Sequence, residues 1–244
     1  DGLPGLVAKY AIEHWVRIPV EVELAHEFRY RDPILTPRTL VVAISQSGET
    51  MDTLMALRHA REQGSKVLVI CNTQGASIPR ESDAVLYTHA GPEVAVASTK
   101  AFVAQITAAY VLGLYLAQVK GAMYRDEIAQ TLESLKDMPR KIQWILDTQT
   151  KTVQEAAEQM VDAKSFLFLG RHVGYPVAME GALKLKEIAY TFTEGFAAGE
   201  LKHGTISLIE PGTLVVALGT YGPLFDKFIS NVVEVKARGA EVMA

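Results

Sequence analysis

Two groups of residues in this 244-residue sequence have types and spacings that could do chemistry. The first is Ser45-Gln46-Ser47-Gly48-Glu49-Thr50, a cluster of hydroxyls and a glycine directly after the β-favouring run Leu40–Ile44. A helical pattern starts at about Glu49, with Met51, Leu54, Met55 and Leu57 near one face, and ends at Gly64. A strand that turns into a helix start leaves backbone N–H groups and a positive dipole end facing open space, which suits a small anion, most often a phosphate. Ser45, Ser47 and Thr50 add side-chain donors, each worth roughly 1.5–3 kcal/mol toward a charged group. The plainer reading is an ordinary strand-to-helix turn capped by Ser47 or Gly48. The second group is Glu180, Lys184 and Glu187, which fall within about 60° of one another on a helix otherwise built of Ala, Leu, Ile and Tyr. Here the plain reading is an exposed i, i+4 pair worth roughly 0.3–0.5 kcal/mol. The chemical one is a carboxylate base tuned by burial and by the lysine. His203, in the turn Gly199–Gly204, is by itself more often a surface histidine than a catalyst.

The elements that must hold these residues alternate between strand and helix. A helix over 5–17 is closed by Pro19, a short strand is expected over Val20–Leu24, and AHEFRY reads as a compact turn. After the Leu40–Ile44 strand and its helix come the strand SKVLVICN, a loop with helical character at SIPRESD, and the short strand AVLYTHAG. The segment 93–120 is a polar entry followed by a long apolar helix, and amphipathic helices follow over about 123–136 and 141–162. The pattern then restarts: strand SFLFLGRH, helix YPVAMEGALKLKEIAY, turn AAGELKHG, strand TLVVALG, a helix ending in KARG, and the start of a strand at AEVMA. Such alternation predicts an α/β fold, a parallel sheet with helices on both faces.

The restart is a repeat. TLVVAI at 39–44 returns as TLVVAL at 213–218, an offset of 174, and GSKVLV at 64–69 corresponds to GAEVMA at 239–244. Upstream of each copy lie Ala25-His26-Glu27 and Ala198-Gly199-Glu200, an offset of 173. Two α/β domains are therefore expected, 1–149 and 150–244. The first lacks the counterpart of the strand SFLFLGR, the second is cut short after AEVMA, and the sequence reads as a fragment. Copy two carries Gly219-Thr220-Tyr221-Gly222 where copy one has Ser45–Gly48, so the anion loop belongs to the first copy alone.

With 49% hydrophobic and 21% charged residues the composition is that of a soluble globular protein. A net charge of −4 argues against a nucleic-acid partner. The lone Cys71 excludes an internal disulfide and fits a reducing compartment such as the cytoplasm. Ala101–Val119 is nearly long enough to span a membrane, but Gln105, Thr107 and Gln118 and its many alanines favour a buried or subunit-facing helix, so no membrane partner is expected. No P-loop, no G-x-G-x-x-G, no H-E-x-x-H, no zinc spacing and no G-x-S-x-G elbow occurs, so no cofactor and no metal are expected.

Four motifs in order, SQSGET after a strand, EVAVASTKAF before a long helix, EGALKLKEIAY and AAGELKHG, resemble the isomerase region of the glutamine–fructose-6-phosphate aminotransferase (glucosamine-6-phosphate synthase) family. That region is a tandem pair of flavodoxin-like SIS (sugar isomerase) domains. The resemblance implies that Ser45, Gln46, Ser47 and Thr50 bind the phosphate of fructose 6-phosphate or glucosamine 6-phosphate. It implies that Val96, through its backbone, and Ser98 contact the sugar chain. Glu187 would move the proton between C1 and C2, with Lys184 assisting and Glu180 orienting it. His203 would open the sugar ring, reaching into the neighbouring subunit of a homodimer. The resemblance also implies a glutaminase domain that supplies ammonia and a C-terminal tail with a further lysine, neither of which this sequence contains, so the full reaction is not expected of it alone. The family's first strand ends in a C-G-T-S type turn, and this sequence has Asp1-Gly2-Leu3-Pro4 after or in place of it; Thr205 stands where the family usually has proline. Two other readings remain: a stand-alone SIS phosphosugar isomerase or deglycase, and a catalytically silent SIS module that senses phosphosugars.

Overall fold

The computed structural model describes Gly2–Ala244, so the part of the expected chain start that rests on Asp1 lies outside the described residues. It divides into two compact units, residues 2–123 and 124–244. The boundary expected at 149/150 falls inside a continuous helix, and the division lies instead at the loop after the long apolar helix.

In the first unit, helix α1 (Leu3–Val16) leads through an extended segment to α2 (Ala25–Tyr30), β1 (Leu40–Ser45), α3 (Met51–Glu62), β2 (Lys66–Cys71), the single turn α4 (Ser77–Arg80), β3 (Ala84–Tyr87) and α5 (Lys100–Lys120). The strands form a parallel sheet in the order β1-β2-β3, with Val42 opposite Leu68 and Leu68 opposite Ala84. The strands are near-continuous apolar runs because both faces are covered, as parallel sheets require. Ala8, Ile12 and Val16 of α1 and Ala108, Ala109 and Ala117 of α5 close on Ile70 from one side; Leu54, Leu57 and Ala60 of α3 and Ile78 close on Val67, Val69 and Cys71 from the other. The alanines of α5 let the two helices approach closely. At Gly113 a Cβ would stand 3.1 Å from Ile12, and Trp15 meets Tyr110 edge to face at 5.3 Å. The Lys120 ammonium donates to the Val16 carbonyl at 2.8 Å, satisfying one of the open carbonyls at the end of α1. By length and composition α5 is apolar enough to cross a membrane, but it serves here as a core helix packed on α1.

The second unit runs α6 (Arg125–Lys136), α7 (Met138–Gln159), β4 (Ser165–Gly170), α8 (Gly174–Ala189), β5 (Phe192–Ala197), the 3₁₀ turns Ala198–His203 and Thr205–Leu208, β6 (Leu214–Leu218), α9 (Phe225–Ala237) and β7 (Glu241–Met243). Its parallel sheet has the order β5-β4-β6-β7, the doubly wound pattern in which the chain reverses direction between β4 and β6. Ala178 and Ala182 of α8 cover Phe168 on one face, and Leu201, Phe228 of α9 and Val235 cover Leu167, Leu169 and Val215 on the other. The fold class is therefore the expected one.

Three local expectations need correction. Val20–Leu24 is not a strand, because it pairs with none of the described strands, and the Val20 N–H donates instead to the Glu13 carboxylate at 2.9 Å. AHEFRY is a helix, α2, and AAGELKHG, its counterpart in copy two, is largely the first 3₁₀ turn. The strand β5 was not foreseen; it pairs with β4 throughout, from Ser165 opposite Phe192 to Gly170 opposite Ala197.

Candidate functional site

In the first unit the hydroxyl cluster sits where the sheet's carboxyl edge meets a helix start, since β1 ends at Ser45 and α3 begins at Met51 with Thr50 at its N-cap. Thr50 is extended (φ −63°, ψ 116°) and its side chain caps nothing, so the first-turn N–H groups of α3 have neither an intrahelical partner nor a cap. The turn is shaped from within. The N–H of Gly48 donates to the Ser45 Oγ at 3.0 Å, and that of Glu49 to the Ser47 Oγ at 3.3 Å. Both hydroxyls accept in these bonds, and their own protons stay free for an anion.

Gly48 is demanded by the turn. Its φ is +71°, and a Cβ there would lie 2.6 Å from the Ala76 Cβ and 2.9 Å from the Cys71 sulfur. The Gln46 carbonyl accepts from the Asn72 and Thr73 N–H groups, each at 3.3 Å, and the Gly48 carbonyl from the Ile78 N–H at 2.9 Å, so the loop is tied to the end of β2 and to α4. Two residues that tie it escaped the sequence reading. The Glu49 carboxylate accepts from the Ser77 N–H at 2.8 Å, and hydrogen bonding by Ser77 holds its pKa below the usual carboxylate value. Asn72 donates to the Gly91 carbonyl at 2.7 Å and accepts from the Thr88 hydroxyl and the Ala90 N–H, each at 2.9 Å. An Asn directly after an apolar strand run was the available signal. Cys71 is wholly buried beneath the loop, and burial pushes its thiol pKa up. Val96 and Ser98 lie in the irregular segment before α5; the Val96 side chain is exposed and Ser98 is half-buried.

In the second unit the helical stripe is confirmed as a contact. Lys184 Nζ stands 2.6 Å from a Glu187 oxygen and 3.5 Å from Glu180 Oε1, with all three side chains at least two-thirds buried. This disposes of the exposed-pair reading. Glu180 is 6% exposed, and its Oε2 is buried without a hydrogen-bond partner. Burial is the main cause of its raised pKa, and Lys184 opposes it. One lysine thus serves two carboxylates of different character, Glu180 deep and partly unsatisfied, Glu187 nearer the surface. Gly181 sits between them, where a Cβ would approach the Phe168 ring to 3.0 Å, so the helix can lie close on β4. His203 ends the first 3₁₀ turn, is exposed, and makes no hydrogen bond or ion pair among the described residues. Gly204 follows it at φ +142°. Each unit thus gathers its own set, the hydroxyl loop in the first and the Glu-Lys-Glu triad in the second.

The SIS domain family matches residues 2–115 and 159–244. The glutamine–fructose-6-phosphate aminotransferase (isomerizing) of Corynebacterium glutamicum is 65% identical over 240 residues, which cover 97% of this chain and 38% of that protein. The chain therefore spans well under half the length of the curated relatives it matches. The solved C-terminal domain of glucosamine-fructose-6-phosphate aminotransferase from Francisella tularensis superposes with a TM-score of 0.96 at 41% identity, covering 98% of this chain and 68% of that one. A glucosamine-6-phosphate deaminase from Thermotoga maritima shares the fold at a TM-score of 0.82 and 23% identity, over 99% of this chain and 71% of that one.

Proposed function

This chain belongs to the SIS domain family, and from that premise we propose that it is the sugar-phosphate isomerase region of a glutamine–fructose-6-phosphate aminotransferase. The observation that carries the reading is the buried triad in which Lys184 bridges Glu180 and Glu187. A ketose-to-aldose conversion needs one group that takes a proton from C1 and returns it to C2, and a partly accessible carboxylate held by an ammonium suits that task. We assign that transfer to Glu187. Lys184 steadies the carboxylate and the negative charge that develops on the sugar oxygen, and Glu180 holds Lys184 from below. His203, exposed at the end of the first 3₁₀ turn, opens the sugar ring across a homodimer interface.

The hydroxyl loop fixes the substrate. Ser45, Gln46, Ser47 and Thr50 bind the phosphate beside the uncapped start of α3, and Val96 and Ser98 contact the sugar chain. In the intact protein a glutaminase domain supplies the ammonia, and the compartment is the reducing cytoplasm. A purely sensing module would need the phosphate loop but not a triad whose inner carboxylate is buried at a cost to its charged form, and this favours catalysis.

Fructose 6-phosphate at about 100 times its Kd should stabilise the protein by about 2.7 kcal/mol, read as a rise in Tm. Ser47→Ala with Thr50→Ala should remove most of that rise; equal stabilisation by fructose without phosphate would overturn the phosphate assignment. Glu187→Gln in the intact protein should abolish product while leaving sugar-phosphate binding in place, and near-normal turnover would show the triad to be structural.

A further inference from the structure

Beside the hydroxyl loop, at the carboxyl edge of β1-β2-β3, lies an open cleft of about 390 Å³ lined by Gln46, Asn72, Thr73, Gly91, Pro92 and Glu93. Most of its polar groups are already in use. Asn72 spends both its amide nitrogen and its oxygen on the segment 88–91, and the Thr73 hydroxyl donates to the Gln46 carbonyl at 3.3 Å. The Gln46 side chain makes no hydrogen bond among the described residues. Glu93 carries a carboxylate oxygen, Oε2, that is buried and unpartnered. A buried polar atom without a partner costs free energy and calls for an explanation by a ligand, an ion or a role in function. The segment carrying Glu93 is held down at its neighbour, since the Lys100 ammonium donates to the Pro92 carbonyl at 2.6 Å.

We propose that Glu93 is a specificity-determining residue that accepts a hydrogen bond from a hydroxyl of a sugar phosphate anchored by the Ser45–Thr50 loop. The inference rests on the phosphate reading of that loop. Gln46 belongs to both features, so the cleft adjoins the loop in which the phosphate would be held. The lining residues carry a carboxylate and no cation, which disfavours a second anionic group there. An acceptor-only carboxylate in the lining of a cleft beside the phosphate loop matches a hydroxyl of a polyol. The assignment makes the cleft a reader of the hydroxylated chain, while the loop reads the phosphate.

Binding of fructose 6-phosphate and of inorganic phosphate to the intact protein, measured by calorimetry for Glu93→Ala and Glu93→Gln, tests this. The loss of a hydrogen bond to a charged acceptor predicts about tenfold or more weaker fructose 6-phosphate binding in Glu93→Ala, with a smaller loss in Glu93→Gln, whose amide oxygen still accepts. Inorganic phosphate should bind both variants as well as or slightly better than the parent, since a nearby negative charge has gone. Fructose 6-phosphate affinity within twofold of the parent in both variants overturns the proposal, as does an equal loss for both ligands. The variant Ser47→Ala with Thr50→Ala separates the underlying reading: if it retains inorganic phosphate binding, the loop assignment fails whatever Glu93 does.

Discussion

Glu180 is the residue whose surroundings oppose its charge. Its raised pKa means that the folded state holds the proton more tightly than the unfolded chain does. Its stabilising contribution is therefore complete below the ordinary value of 4.5 and is lost as pH rises through the elevated folded value. Glu180→Gln should accordingly raise the Tm at neutral pH, where the carboxylate is strained, and remove that descending limb from a stability–pH curve. A Tm at neutral pH below that of the parent would mean that the attraction to Lys184 outweighs burial. Glu49, Glu81 and Asp83 act in the other direction. The hydrogen bonds of Ser77 on Glu49, the Arg58 guanidinium on Glu81 and the Val67 N–H on Asp83 hold their pKa values down, so their contributions are present above the ordinary carboxylate range and lost as pH falls. All three are exposed pairs or edges, so that acid limb should be shallow and should weaken further in salt.

The elements show where the sequence could be read and where it could not. The strand–loop–helix at Leu40–Glu62 was legible because apolar β-favouring residues end at a hydroxyl cluster and an i, i+3, i+4 pattern follows. The triad on α8 was legible as spacing, but its burial was not, since periodicity places three charges on one face without saying what covers that face. Val20–Leu24 has strand-like alternation, yet strand status depends on a neighbour that local pattern does not contain. The strand β5, FTEGFA, escaped for the opposite reason: Glu194 and Gly195 break the alternation, while its place is fixed by close approach. A Cβ on Gly195 would stand 2.7 Å from the Met179 Cα, and the buried Thr193 hydroxyl donates to the Ala182 carbonyl at 2.6 Å. Thr193→Val, which keeps the shape and removes that donor, should cost about 1–2 kcal/mol by denaturant unfolding. In the loop, Gly48→Ala combines a left-handed φ with a Cβ clash and should cost about 2–4 kcal/mol, together with most of the fructose 6-phosphate response. A fully stable Gly48→Ala that still binds would show that the turn can relax.

At the scale of the whole molecule, the two units are one pattern used twice with different polar residues in each copy. At an offset of 174, β1 corresponds to β6, α3 to α9 and β2 to β7, while α1 and α8 occupy equivalent places. Only the first copy carries a serine cluster after its strand, and only the second carries a lysine between two glutamates. The equivalence also shows what differs. In the second unit β6 has neighbours on both sides, whereas among the described residues β1 has β2 alone, and Val41–Ile44 remain half-buried. An apolar strand with one open side is a template for pairing with other chains. The isolated chain should therefore self-associate with rising concentration, and Leu40→Lys, at a 42% exposed position at the start of β1, should reduce that association in light scattering with little change in Tm. The order of the elements also sets an order in time. The whole β1-β2-β3 sheet is encoded before Met123, whereas β4 begins at Ser165. At about 5–20 residues per second the second unit takes on the order of ten seconds to emerge from the ribosome. During that interval the strands of the first unit are already all present, so its hydroxyl loop can form before the Glu-Lys-Glu triad of α8 has been synthesised.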